Sequence, residues 1–195
     1  MSASKNHTNA RQLTMERATK FYDNIEDFRK AQIILYNYQT THNIIRNDYL
    51  ELLRLTESLT ENQNQFNSLY RACLRELFSL IESDLYGLNQ LDSYSNYRDQ
   101  DKFLQKFKKT FERISQTWNK GELQQSYFNS KFDNLVRIKK ERDSATHPKK
   151  PEDLKPVTKN EFDVLKGVFK DYDEFINGMM NGFFIGMKNY PLSQS

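Results

Sequence analysis

The chain has 195 residues, of which 37% are hydrophobic, and its apolar content is strongly aromatic, with 14 Phe and 11 Tyr. That length suits one ordinary domain and excludes two large ones. The 29 basic and 26 acidic residues leave a net charge of only +3, so a nucleic-acid interface has to come from a local patch rather than from overall charge.

The first residues, "MSASKNHTNARQLTMERATK", carry no apolar run of signal-peptide length, and His7 falls in a tail expected to fray (1–10). No stretch approaches the ~18 apolar residues of a membrane span. With a single cysteine, Cys73, no internal disulfide framework is available, which points to a reducing, cytoplasmic location without membrane association.

The first Gly is Gly87 and the first Pro is Pro148. Such spacing is incompatible with a turn-rich β protein. Tyr38, His42, Ile45, Tyr49, Leu52, Thr56 and Leu59 keep a 3–4 rhythm, predicting a helix within an N-terminal arm, 11–60. His42 on that stripe reads as a core histidine with a hydrogen-bonded ring. The polar "TENQNQ" marks a helix junction near Thr60. A second stripe follows: Leu69, Cys73, Leu77, Leu80 and Leu88, in which Cys73 is a small buried hydrophobe. Glu82 and Asp84 in "IESDLYG" are expected to be solvated or to pair with cations.

"NQLDSYSNYRDQD", Asn89 to Asp101, reads as a loop whose Tyr94, Tyr97 and Arg98 could stack unpaired bases; packing of the tyrosines on the bundle is the simpler expectation. Leu104, Phe107, Phe111, Ile114 and Trp118 make a third stripe, with Trp118 in the core. "NKGE", Asn119 to Glu122, is a turn. Phe128, Phe132, Leu135 and Ile138 mark a fourth helix. Three of the four prolines lie in "HPKKPEDLKPVT", where a helix must stop. Thr158 and Glu161 have capping-box spacing, so a last helix starts there. Its stripe is Phe162, Leu165, Phe169, Tyr172, Ile176, Met179 and Phe183. The whole is an all-α chain: an antiparallel bundle of four to five helices at 61–186, the N-terminal helical arm, and a frayed tail at 187–195. The apolar "GMMNGFFIGM" near its end either closes the core or forms an association patch.

The chemistry concentrates in "RDSATHPKK", Arg142 to Lys150. Arg142 lies two turns after Leu135 and shares its face. A guanidinium on an apolar stripe either snorkels off the helix end or is aimed into a seam to await an anion. Asp143 and His147 are four apart and share a face, so the carboxylate can orient the imidazole. Pro148 then forces the chain out of the helix, leaving the histidine at a mouth. Lys139, Lys140, Lys149 and Lys150 surround the segment and are candidate phosphate ligands. Arg142 and His147 are five apart, about 140° around an ideal helix. They converge on one phosphate only if the last turn distorts or a second copy supplies one partner. No residues stand at metal-ligand spacing and no glycine-rich phosphate loop is present, so neither a metal nor another cofactor is expected.

"RDSATH" is an arginine, a polar residue directly after it, and a histidine after four intervening positions, closing a helix that precedes a loop and a last amphipathic helix. It resembles the R-x4-6-H signature of the HEPN superfamily. The segment "LYRACLRELFSLIESDLYGL" is similar to an early helix of that family, and the resemblance covers roughly residues 66 to 180. The strongest family form has asparagine where this chain has Asp143. The resemblance implies a homodimeric, metal-independent endoribonuclease acting on single-stranded or loop RNA, in bacterial defence or a toxin–antitoxin pair, with an antitoxin or defence-system protein as a further partner. Arg142 would hold the scissile phosphate, His147 would move protons and Asp143 would orient it. The competing expectation is a non-catalytic helical interaction or regulatory module that binds through its N-terminal arm.

Overall fold

The computed structural model describes residues 25–92 and 98–181, and these are helical apart from short connections. In chain order the helices are α1 (Ile25–Ser58), α2 (Gln63–Leu91), α3 (Phe103–Thr117), α4 (Gly121–Ser130), α5 (Phe132–Thr146) and α6 (Lys159–Met180), with a 3-10 turn at Pro151–Leu154 before α6. The all-α bundle expected from the apolar spacing is therefore observed. The predicted fourth helix is divided: Lys131, at φ −123° and ψ −28°, separates α4 from α5. Tyr94 and Tyr97, both tails and the region around Phe183 lie outside the described residues.

The junction predicted near Thr60 is present, and the Asn62 side chain caps α2 by accepting from the Gln65 N–H at 3.2 Å. So short a connection folds α2 back along α1. The pairing proves the direction, since Thr56 meets Cys73, His42 meets Asp84 and Tyr38 meets Gly87. A Cβ on Gly87 would lie 2.4 Å from Cδ2 of Tyr38, so glycine there sets how closely the two helices approach. α6 runs antiparallel to α1 as well, through Tyr49–Phe169 and the Arg46–Asp173 pair. The helix placed in the N-terminal arm thus contributes Tyr38, Tyr49 and Leu53 to the same core as the bundle.

α2 is the central element. It buries twelve side chains against its neighbours, among them Leu74, Leu77, Ile81 and Leu85, each worth about 1.5–3 kcal/mol of transfer free energy. Phe107 of α3 anchors the other half, with Phe111, Tyr127, Phe132 and Tyr172 ringed around it at centroid distances of 4.7–6.3 Å. Trp118 is buried, as its stripe requires. Between α3 and α4, Asn119 adopts φ 54°, the left-handed conformation that asparagine tolerates. Cys73 is fully buried against the Thr56 hydroxyl, and burial pushes its thiol up to about 11.

The Thr158/Glu161 capping box forms as expected: Thr158 N–H donates to Glu161 Oε2 at 2.8 Å and Glu161 N–H to Thr158 Oγ1 at 3.2 Å. The proline-rich connection before it is pinned to the start of α2, where Asn67 Oδ1 accepts the Val157 N–H at 2.8 Å. These ties hold the C-terminal end of α5 beside α2, and that end carries the motif.

Candidate active site

Arg142 occupies the last turn of α5 and leans across α2. Its Cζ lies 4.9 Å from the centroid of the Phe78 ring, and its side chain is only 20% exposed. A planar guanidinium on an aromatic face is a cation–π arrangement. Two carboxylates approach it loosely: Glu82 Oε1 at 3.4 Å from Nη2, and Asp143 Oδ1 at 3.4 Å from Nη1. Its Nε is buried and makes no hydrogen bond, and the same holds for Oγ1 of Thr146 one turn on. Both residues line a groove of about 150 Å3 together with Arg75, Phe78, Ser79 and Glu82 of α2. Buried donors left unpaired in this way carry a free-energy cost of about 1–3 kcal/mol each unless a ligand or water satisfies them.

His147 is the C-cap residue of α5, its backbone N–H bonded to the Asp143 carbonyl at 3.0 Å and its φ, ψ at −129° and 60°. Its side chain is exposed. Among the described residues the Asp143 carboxylate makes its side-chain contacts to Lys139, four residues before it, and to Arg142, and none to the His147 ring. The described residues therefore bring Arg142, Asp143 and Lys139 together, while His147 is exposed at the helix end and does not line the Arg142 groove.

The other lysines go elsewhere. Lys140 lines a separate groove of about 240 Å3 with Tyr70, Ser144 and Lys155, two positions round α5 from Arg142. Tyr70 donates to Glu141 there at 2.6 Å, and burial followed by this bond raises its hydroxyl far above the ordinary tyrosine range. Lys149 and Lys150 are exposed, and their backbone N–H groups are held by the Asp153 carboxylate at 2.8 and 3.2 Å. Among the described residues no group of three or more His, Cys, Asp or Glu is placed to hold a metal ion, and no helix is long and apolar enough to cross a membrane.

Two acids of α2 take opposite roles. Glu82 is exposed and pairs with Arg142. Asp84, expected to be solvated or beside cations, is fully buried instead; it accepts from His42 Nδ1 and Tyr172 Oη, both at 2.8 Å. Burial raises the Asp84 carboxyl above its ordinary value, and the His42 and Tyr172 bonds oppose that shift. The α2 residues of the Arg142 groove carry a signal that sequence reading missed: Arg75, Phe78, Ser79 and Glu82 step 3, 1, 3 along one helix face. No family model, curated protein or solved structure matches the chain, so its site is read from these contacts and from the R-x4-H pattern.

Proposed function

We propose that the chain is a HEPN-type, metal-independent endoribonuclease that works as a homodimer in the bacterial cytoplasm, in phage defence or a toxin–antitoxin pair. One observation supports this reading most. The arginine of the motif is pre-positioned on Phe78, with an unspent Nε, next to the unspent Thr146 hydroxyl and an exposed histidine at the helix end.

In this mechanism the Arg142 guanidinium binds the non-bridging oxygens of the scissile phosphate and stabilises the charge that grows on them. RNA displaces the loose 3.4 Å contact with Glu82. His147 of the second copy takes the proton of the 2′-hydroxyl, and the 2′-oxygen forms a bond to phosphorus. The bond from phosphorus to the 5′-oxygen breaks, and that oxygen takes a proton from water. The products are a 2′,3′-cyclic phosphate and a 5′-hydroxyl. Asp143 acts on Arg142 and Lys139 in this scheme, steadying the cation rather than the imidazole. Lys139, Lys140, Lys149 and Lys150 attract the RNA backbone.

The test is cleavage of labelled single-stranded RNA in EDTA. Wild type is expected to exceed both Arg142→Ala and His147→Ala by about 10²–10⁴-fold, yielding cyclic phosphate ends. A wild-type rate no higher than that of His147→Ala across several RNAs refutes the enzyme.

A second reading rests on α1. Ile33, Tyr36, Ile44 and Leu55 are 60%, 69%, 58% and 50% exposed, and Ile33, Ile44 and Leu55 follow one another at three-turn spacing. This outer face favours a non-catalytic interaction module. In that case the double variant Arg142→Ala/His147→Ala behaves as wild type in cells, and charged substitutions at Ile33 and Ile44 abolish partner binding.

A further inference from the structure

The far side of α2 carries a second constellation. Asp84 is two residues from Glu82, about 200° round the helix, so it faces away from the Arg142 groove. It holds His42 through Nδ1, which leaves Nε2 as the only other polar atom the ring can offer. His42 lines a cavity of about 520 Å3 between α1 and α6, together with Tyr38, Gln39, Asn43, Arg46 and Asn177. That size falls within the ~300–1,000 Å3 of small-molecule sites.

The polar groups here are fixed in advance. Arg46 is clamped by Asp173, with Nε to Oδ1 at 2.6 Å and Nη2 to Oδ2 at 2.8 Å. This bidentate pair orients the guanidinium and leaves Nη1 without a partner among the described residues. The two neighbouring carboxylates, Asp84 and Asp173, have both oxygens engaged, and no acidic residue lines the cavity. Tyr38 is 6% exposed, and burial followed by the nearby Asp84 carboxylate pushes its hydroxyl well above the ordinary tyrosine range. A histidine that served only to satisfy the core would need neither an open space beside it nor an unspent arginine edge one turn away.

We propose that this cavity binds a small phosphorylated sugar or polyol, its phosphate taken by His42 and Arg46 and its hydroxyls by the amides of Gln39, Asn43 and Asn177. A compact oxyanion suits the imidazole and guanidinium, which stand one turn apart on α1. Three amides can donate and accept, Asn177 with its Oδ1 and second N–H left over from its bond to the Asp173 carbonyl, and so match a polyhydroxyl body, while Ile176 and Met180 complete the lining. The site is independent of the ribonuclease reading.

The experiment follows the His42 ring nitrogens by NMR in the 15N-labelled full chain at constant ionic strength. Ribose 5-phosphate, inorganic phosphate and ribose are titrated separately. Ribose 5-phosphate is expected to shift the ring signals with Kd on the order of 1 mM or tighter. Phosphate shifts them at higher concentration, and ribose does not. Arg46→Met weakens both anions by roughly tenfold or more. Because that change also frees Asp173, the exposed Asn43→Leu serves as a second variant. It weakens ribose 5-phosphate by roughly fivefold while phosphate binds as before. Unmoved His42 signals with both anions, equal shifts by ribose and ribose 5-phosphate, or unchanged sugar-phosphate affinity in Asn43→Leu each overturn the proposal.

Discussion

The placement of Arg142 on Phe78 can be measured as a coupling energy. Phe78→Leu removes the ring under the guanidinium, but it also removes the edge contact with Phe103 at 5.0 Å. That contact is worth about 0.5–1.5 kcal/mol, and the volume change adds about 1 kcal/mol. Arg142→Met keeps the apolar stem and deletes the cation. It also deletes the buried, unpaired Nε, a gain of about 1–3 kcal/mol that offsets the lost contact. Neither single change is therefore readable alone. In a double-mutant cycle these extra terms cancel and the cation–π term remains. With Cζ 4.9 Å from the centroid and the side chain 20% exposed, that term should be about 1 kcal/mol. Urea unfolding of wild type, the two singles and the double gives the number directly. A coupling inside the ~0.3–0.5 kcal/mol of ordinary non-additivity would mean that Phe78 does not seat the arginine, and the positioning argument fails.

Two further changes probe the interior. The Tyr49 hydroxyl is buried without a partner in a fully buried side chain, so Tyr49→Phe should stabilise the chain by about 1 kcal/mol, raising Tm by about 2–4 °C; a lowered Tm contradicts this. The Asp84 carboxyl is raised above its ordinary value of 3.8, chiefly by burial. Between the unfolded and folded values the native state binds the extra proton, so the stability contributed by protonated Asp84 is complete below the unfolded value and is lost as pH rises through the folded one. Urea melts across that range should show the stability of wild type falling relative to Asp84→Asn as pH rises. A rising difference would mean that the His42 contact outweighs burial.

Much of the fold was legible because its signals are local. The stripe from Phe162 to Met179 and the Thr158/Glu161 box depend on residues within a few turns, and both appear as expected. Pro148 marks the end of α5 for the same kind of reason. The break at Lys131 was not legible, since Phe128 and Phe132 keep helical spacing across it and stack at 4.7 Å. The pairing of His42 with Asp84 spans 42 residues, and spacing along a chain says nothing about such meetings. Within the motif the difficulty is subtler. Asp143 has a partner available four residues away on either side, Lys139 and His147. Lys139 sits on a regular turn, whereas His147 is a cap with ψ 60°, so the lysine takes the carboxylate. Sequence spacing treats the two neighbours as equal, and helix termination separates them.

The ribonuclease reading requires one copy's arginine to act with the other copy's histidine. The most direct measurement mixes Arg142→Ala with His147→Ala, allows subunits to exchange, and assays cleavage of single-stranded RNA in EDTA. Each variant alone should be inactive. The mixed dimer retains one complete composite site, so activity should return on mixing, along with cyclic phosphate products. If the mixture stays as inactive as its components while native gels show that mixed dimers have formed, the shared site is contradicted.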